Sequence, residues 1–496
     1  MTPGENPIAI EPAQETAAPW GAEALEWSRA ARKQRQAEYA RRREEIVRKN
    51  RYYHENVFRL LRFIVEKGKR VLDVRCSSGL FLNAVEPSRG VGIDITPEMI
   101  QVARETYPHL EFHCADPETL ELNEEFDYIL FNNVFDTVDV LAAFRRLRLM
   151  CQSHTRLVIY SYNHLWEPIL DAASKLGLRE RYVEPNWLTD KDLSGFLHLA
   201  GFEILKTYNI VLFPKWIPLL SGFLNRFLAK FPVIRKLCLV KVFVARPTAA
   251  PQDPANVSVS VIVPCRNERD NIEPAVLRIP QMGRHTEIIF CDDKSTDGTP
   301  DEVRRVQELN PHRDVRLKRG PGICKAENVW TGFRAATGDI LMILDGDLAV
   351  MPEELPYFFR AMVEGRAEFV NGSRLVYPMR FNAMKFSNLI GNKFFSIVFS
   401  FLLGQHIKDT LCGTKVIWRR DWARMEPLLG TWGVKDLWGD YELLFAASKL
   451  HLAIRDLPVH YQERIYGVTK MKRVFANGVR MLGLCWTAAV RLKGGF

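Results

Sequence analysis

VSVSVIVPCRNERDNIEPAV (Val257–Val276), EIIFCDDKSTDGT (Glu287–Thr299) and GDILMILDGDL (Gly338–Leu348) are the stretches whose reading decides the fold. Each is an apolar run that breaks off into acidic or polar residues, and helix-length segments separate them. That alternation predicts an α/β domain with parallel strands. In an open α/β sheet, ligands sit outside the carboxyl ends of the strands, so Glu268, Asp292, Asp293, Asp345 and Asp347 are expected to converge on one crevice. In Asp345-Gly346-Asp347 two carboxylates flank a glycine, a pattern that lets a hard cation and a diphosphate approach the backbone. Taken alone the tripeptide also suits a solvated turn; its place after two other strand-end motifs favours the site.

These motifs resemble those of the family 2 glycosyltransferases of GT-A fold, especially the polyprenyl-phosphate enzymes such as the dolichyl-phosphate mannose synthases. The resemblance covers about Val257 to the C-terminus and implies a metal-dependent, inverting transfer from a nucleotide-sugar donor. By it, Pro264, Asn267, Glu268, Asp292 and Asp293 hold the nucleoside, Lys325 of GICKAENVW meets the donor phosphates, and Asp345 and Asp347 hold Mg²⁺ or Mn²⁺. It also places Asp440 of LWGDYELL beside the acceptor, as general base for a hydroxyl. A polyprenyl phosphate acceptor is already anionic and needs cations instead, which Arg374, Lys415, Arg464 and Lys470 would supply. The acceptor reading is therefore a polyprenyl phosphate or a glycan. Two positions depart from the family. Arg266 stands where an aromatic residue is common, and a guanidinium can stack on a base. Ala349 stands where some relatives carry a metal-coordinating Gln, and water can complete the metal shell.

The 496 residues call for two or three domains. A formal net charge of +9 and a pI of about 9.0 favour anionic partners such as nucleotides, lipid phosphates or an acidic membrane surface. No nucleic-acid module is recognisable, so no nucleic acid is expected as a partner. The nine cysteines are irregularly spaced and form no CxxC pair, which fits a reducing cytoplasm rather than a disulfide framework or a zinc site. The first twenty residues lack a basic region followed by an apolar core, so no secretory signal is expected.

Residues 1–50 read as a disordered N-terminus followed by a basic helix, and 51–208 as a domain of its own. There KRVLDV, GVGIDI, LEFHCAD, FDYILFN and TRLVIYSY alternate with helix-length segments, a second Rossmann-like progression. The run DVRCSSG (Asp73–Gly79) closes the first strand, Asp94 ends the second and Asp116 follows the third. These positions resemble class I S-adenosylmethionine-dependent methyltransferases. The resemblance implies that the loop from Asp73 to Gly79 holds the methionine portion, Asp94 the ribose and Asp116 the adenine, with Asn132 or Asn133 facing a substrate. Arg75 and Ser77 stand where family loops carry glycine, so weak or absent cofactor binding is expected. A bifunctional methyltransferase/glycosyltransferase of cell-envelope glycan and a non-catalytic scaffold remain as alternatives.

Residues 209–256 read as an apolar and basic interfacial segment ending in the linker TAAPQDPANVS, and 257–496 as the glycosyltransferase-like domain. FFSIVFSFLL and the stretch Met471–Leu492 are apolar but too short or too interrupted to span a bilayer. With the basic and aromatic residues of Val211–Val244, they suit attachment in the membrane interface, on the cytoplasmic face. Packing of the same stripes between the two domains is the other reading.

Overall fold

The computed structural model describes residues 22–40, 43–175, 186–377, 386–433, 436–462 and 474–493. Among them are two seven-stranded sheets. The first contains β1 (Arg70–Val74), β2 (Arg89–Asp94), β3 (Glu111–Cys114), β4 (Phe126–Phe131), β5 (Cys151–Tyr162), β6 (Phe202–Ile210) and β7 (Val240–Pro247), in the order β3-β2-β1-β4-β5-β7-β6. All neighbours are parallel except β7, which runs against β5 and β6. The strands RVLDV and FDYILF are buried at nearly every position, as expected where helices cover both faces of a sheet.

β7 lies inside 209–256, the stretch read from the sequence as interfacial segment and linker, so the first domain extends to Pro247. VKVFVARP was read as the end of that interfacial stretch, whose apolar and basic residues it shares. In the fold Lys241 lies 2.6 Å from Asp190 and Arg246 pairs with Glu203, which lets an otherwise apolar strand stay buried along its whole length.

The second sheet contains β8 (Ser258–Cys265), β9 (His285–Asp292), β10 (Asp314–Arg319), β11 (Ile340–Ile343), β12 (Phe369–Ser373), β13 (Lys415–Trp418) and β14 (Ile454–Pro458), in the order β10-β9-β8-β11-β13-β12-β14. Only β13 runs against its neighbours. The three strands quoted at the outset, β9, β8 and β11, lie side by side and parallel, so their carboxyl ends share one edge.

Buried polar contacts join the domains. Arg156 of β5, 1% exposed, reaches both carboxylate oxygens of Glu368 at 2.9 and 2.8 Å and donates to the His451 carbonyl oxygen at 2.9 Å. Lys206 donates to Ser448 Oγ at 2.9 Å, and the Tyr208 hydroxyl lies 2.9 Å from His451 Nε2. Burial would raise the Glu368 carboxyl, but Arg156 and Arg246 hold it below its ordinary value.

The helix Ala22–Ala40, within the stretch read from the sequence as a basic helix, is seated on the carboxyl edge of the first sheet through Arg29, Arg32 and Gln36. Among the described residues no helix is long and apolar enough to cross a membrane.

Candidate functional site

The Asp345-Gly346-Asp347 turn follows β11 and lies against the end of β8. A side chain on Gly346 would come within 2.9 Å of the Pro264 carbonyl oxygen and 3.5 Å of Glu268 Cγ, so this approach requires glycine. On the other side, any side chain on Gly413 would collide with the Asp345 carboxylate. Lys325 opens the helix Lys325–Ala335 and places its ammonium 2.5 Å from Asp345 Oδ1. Lys415, fully buried at the start of β13, lies 3.0 Å from Asp440 Oδ1 and donates to the Cys412 carbonyl oxygen at 2.5 Å.

Electrostatics ties these groups into one cluster. Burial would raise the Asp345 carboxyl, yet Lys325, and then Lys415 and Arg374, bring it below its ordinary value. Burial would likewise lower the Lys325 ammonium, but Asp345, Asp440 and Asp347 hold it above its ordinary value. Lys325 therefore stays charged among three carboxylates. Asp347 is half-buried, and its Oδ1 accepts the Ala349 amide at 3.2 Å. Two carboxylates on one turn, each half-buried rather than sealed in, fit a hard cation that keeps part of its water shell and shares phosphate oxygens.

At the end of β9, Asp292 and Asp293 are 6% and 5% exposed, and Oδ1 of each has no hydrogen-bond partner among the described residues. A buried acceptor left without a donor costs about 1–3 kcal/mol, and an N–H or O–H of a ligand in the crevice would relieve it. Arg266 is 61% exposed with its guanidinium 3.9 Å from Asp293 Oδ2. Asn267 and Glu268 are used differently. The Asn267 side chain accepts the Thr296 amide at 2.8 Å and its own amide donates to Ser295 Oγ at 2.8 Å, from a left-handed backbone with φ 54°. Glu268 accepts from Asn271 Nδ2 at 2.8 Å while its amide donates to Thr299 Oγ1 at 3.0 Å. Both brace the loop that carries Asp292 and Asp293. Pro264, half-buried, is the last residue but one of β8, and its carbonyl oxygen lies against Gly346.

The residues expected to receive the acceptor are rearranged. Arg374 forms a two-pronged pair with Asp409 at 2.7 and 2.9 Å, and its guanidinium lies 5.2 Å from the Tyr461 ring centre. Asp409 also accepts the Arg374 amide, Asn392 Nδ2 and the Leu411 amide. Burial would raise its carboxyl, but Arg374 leads the contacts that take it down to about 2. Arg374 and Lys415 were expected to face a phosphate. Each is instead committed to an internal carboxylate, so the charge they present to the crevice is largely neutralised. Arg464 and Lys470 lie outside the described residues. Asp440 is 5% exposed at the start of the helix Asp440–Lys449, but Asp436 does the capping, its Oδ2 accepting the Tyr441 and Glu442 amides at 2.8 and 3.1 Å. The Asp440 carboxylate is thus free for Lys415 and the crevice. Asp409 was noted in the sequence beside Lys415, without a partner; Asp436 and Gly413 were not singled out. DTLCG carries an acid and a glycine of a turn, but nothing in it marks Arg374 or Asp345 as neighbours, and the acid of VKDLWGD reads as an ordinary turn residue rather than the cap of the helix that follows.

In the first domain the crevice at the carboxyl edge is filled. Arg75 and Ser77 keep the left-handed backbone of a glycine loop, with φ 60° and 51°, yet carry side chains. The Arg75 guanidinium is 2.5 Å from Asp136 Oδ2, Arg32 is 2.7 Å from Oδ1, and Gln36 Nε2 donates to Oδ2 at 2.7 Å. Asp94 accepts the Ser77 and Thr96 amides, both at 3.0 Å, and Asp116 lies 3.5 Å from Arg29. Asp73 is fully buried, accepts from Asn132 Nδ2, and is pushed well up by burial and by Asp94. Asn133 adopts φ 52° at the same edge. At Gly79, φ 74°, a side chain would strike the Phe112 ring. The cavity left between Arg29, Arg32, Arg75, Asp116 and Asp136 is about 10 Å³. That holds about one water, whereas small-molecule sites run to about 300–1,000 Å³. The residues present do not fit S-adenosylmethionine.

Residues 260–424 match the family model described as Glycosyl transferase family 2, and residues 39–207 match one described as Methyltransferase domain. A dolichol-phosphate mannosyltransferase of Pyrococcus furiosus is 34% identical over 122 residues, 24% of this chain and 34% of its own length. Its namesake from Saccharomyces cerevisiae is 37% identical over 114 residues, 22% of this chain and 42% of its own length. The glycosyltransferase AglD of Haloferax volcanii is 27% identical over 263 residues, 50% of this chain and 39% of its own length. The chain therefore spans about a third to two-fifths of the length of these curated relatives. It carries a family 2 glycosyltransferase domain behind a methyltransferase-like one.

Proposed function

We propose that this chain transfers a sugar from a nucleotide-sugar to a polyprenyl phosphate at the cytoplasmic surface of a membrane, and that only the second domain is catalytic. The observation that carries this reading is the meeting of Asp345, Asp347 and Lys325 on the same sheet edge as the partnerless carboxylate oxygens of Asp292 and Asp293. Asp345 and Asp347 would hold Mg²⁺ or Mn²⁺, which supplies charge neutralisation to the departing diphosphate. Lys325 adds a fixed positive charge where negative charge develops on the leaving group, in a site already organised around it. Asp292 and Asp293 accept from hydroxyl or N–H groups of the nucleoside, and Asn267 and Glu268 keep their loop in place. Direct attack by the acceptor inverts the anomeric centre.

A phosphate acceptor is ionised at neutral pH, so no base is required of Asp440. Its pair with Lys415 then orients the acceptor side of the crevice. A hydroxyl of a glycan would instead need Asp440 to take its proton. The lipid acceptor is favoured by the names of two relatives more than 30% identical in this domain and by the three apolar, basic segments of the chain. The filled crevice of the first domain speaks against methylation as a second activity. Incubating the protein with a panel of nucleotide-sugars, a polyprenyl phosphate and Mg²⁺ or Mn²⁺ tests the reading. At least one donor should release its nucleoside diphosphate in a cation- and acceptor-dependent way; no release from any donor would contradict it.

A further inference from the structure

The stretch between β6 and β7 turns out of the first domain as a hook. Trp216, Leu219, Phe223, Phe227 and Val233 are 65%, 93%, 54%, 56% and 77% exposed, and Ile217, Leu220, Phe231 and Leu237 are exposed as well. The hook is not a loose loop. Asn225 Nδ2 donates to the Phe213 carbonyl oxygen at 2.7 Å and to the Tyr52 hydroxyl at 3.1 Å, and its Oδ1 accepts the Phe213 amide at 2.9 Å. Ser221 Oγ donates to the Lys215 carbonyl oxygen and accepts the Ile217 amide. At the base, Asn163 Nδ2 donates to the Lys236 and Cys238 carbonyl oxygens, and Trp166 Nε1 to that of Leu237. The rings of Phe223, Phe227 and Phe231 run in a line, 5.5 and 5.4 Å between neighbours. Buried polar hydrogen bonds thus hold an apolar row out in solvent, where it loses the burial that ordinarily rewards such residues.

Two helices of the second domain continue this row. On Phe386–Leu403 the exposed Phe394 and Ile397 lead, at helical spacing, to Phe401. On Val474–Lys493 the exposed Val479, Leu482, Trp486 and Val490 lead in the same way to Lys493. The hook meets both stripes where they end: Arg235 lies 5.8 Å and Lys493 5.4 Å from the centre of the Phe401 ring. The three stripes therefore meet around Phe401. Neither 209–247 nor either helix contains an Asp or Glu, whereas Lys215, Arg226, Lys236, Lys393, Arg480 and Arg491 are exposed on them. An apolar face rimmed by charges of one sign matches an anionic bilayer better than a protein surface of mixed charge.

We propose that the 211–239 hook of the first domain inserts into the interface of an anionic membrane and, with these two helices, seats the catalytic crevice on it. This rests on the membrane reading above and goes further by giving the first domain, closed to a cofactor, its role. The helix Phe386–Leu403 extends about 27 Å, and in its half away from Phe401 Asn392 donates to Asp409 at 2.8 Å, beside the crevice. A lipid-borne acceptor lying in the same interface would bring its phosphate to that end.

The test compares the full chain with Phe223→Ser/Phe227→Ser/Phe231→Ser and with Arg226→Glu/Lys236→Glu. Co-sedimentation uses phosphatidylcholine vesicles with and without 30% phosphatidylserine, a composition of about one anionic lipid in three. The wild type should bind the anionic vesicles. The triple variant should bind at least about a hundredfold more weakly, as expected from withdrawing three large side chains from the interface. The charge variant should lose binding to anionic vesicles, by about fivefold or more for each charge. Both should keep wild-type transfer to a short, water-soluble polyprenyl phosphate, which shows them folded. If the wild type transfers to a vesicle-borne acceptor and the triple variant binds and transfers equally well, the hook proposal fails while the function stands. If the wild type neither binds vesicles nor uses a vesicle-borne acceptor, the membrane reading fails and takes the hook with it. A dimer in light scattering that the triple variant abolishes, without vesicle binding, would assign the face to a second copy and overturn the proposal.

Discussion

Replacing Arg75 with Met tests the claim that the first domain is sealed from within. Asp136 is 3% exposed and meets Arg75 at 2.5 Å, Arg32 at 2.7 Å and Gln36 at 2.7 Å. Stranding one partner of a buried ion pair costs about 3–5 kcal/mol. Here Arg32 and Gln36 still serve Asp136, so the loss should be nearer about 2–3 kcal/mol. For a domain of about 200 residues that lowers the first-domain melting temperature by roughly 4–12 °C. Asp136→Asn strands two guanidiniums and should cost more, and the double variant should cost less than the sum of the singles because they share one network. Differential scanning calorimetry reads these values, and isothermal calorimetry with S-adenosylmethionine on the wild type reads the consequence, which is no binding heat. An unchanged melting temperature in Arg75→Met, or tight stoichiometric binding of S-adenosylmethionine by the wild type, would refute the sealed crevice.

The Asp409 carboxyl sits at about 2 rather than its ordinary 3.8. Its contribution, about 2 kcal/mol, is present above about pH 4 and lost as pH falls through about 2; Asp409→Asn should be less stable at pH 7 and show a flatter acid decline in urea titrations. Arg156→Met leaves the buried Glu368 with the Ala453 amide at 2.8 Å and, as its cation, Arg246 at 3.8 Å, so a loss of about 3 kcal/mol is expected. Chemical denaturation should then resolve the domains into separate transitions where the wild type shows more overlap. Asp440→Asn should lower kcat by less than about tenfold on a polyprenyl phosphate, but by about 10²-fold or more on a hydroxyl acceptor; steady-state kinetics on both acceptors separates the cases.

Both sheets were legible because each is built from short apolar strands ending in polar residues, and that pattern is local. The convergence of Asp345, Asp347 and Lys325 on one edge was legible for the same reason, since strand ends and helix starts fall there whatever the side chains do later. The missed features depend on distant pairing. Val240–Pro247 was read as part of an interfacial segment, because nothing local shows that Asp190 and Glu203 take up its charges. Arg374 and Lys415 looked open because nothing in the sequence assigns them to Asp409 and Asp440. The helix Ala22–Ala40 read only as a basic helix because the buried Asp136 alone explains its Arg32 and Gln36. Arg75 and Ser77 did signal a loop altered from the glycine pattern, though not what fills it.

The most direct measurement is sugar transfer to a vesicle-borne polyprenyl phosphate by the wild type and by Asp347→Asn, at saturating nucleotide-sugar, with Mg²⁺ or Mn²⁺ and with chelator. Asp347 is half-buried on a turn at the strand end, so its exchange for Asn should leave melting nearly unchanged. Cation-dependent transfer by the wild type, abolished in Asp347→Asn and by chelator, is the expected result. Near-normal transfer by a folded Asp347→Asn, or transfer indifferent to the cation, would contradict the assignment of this crevice as the glycosyltransferase site.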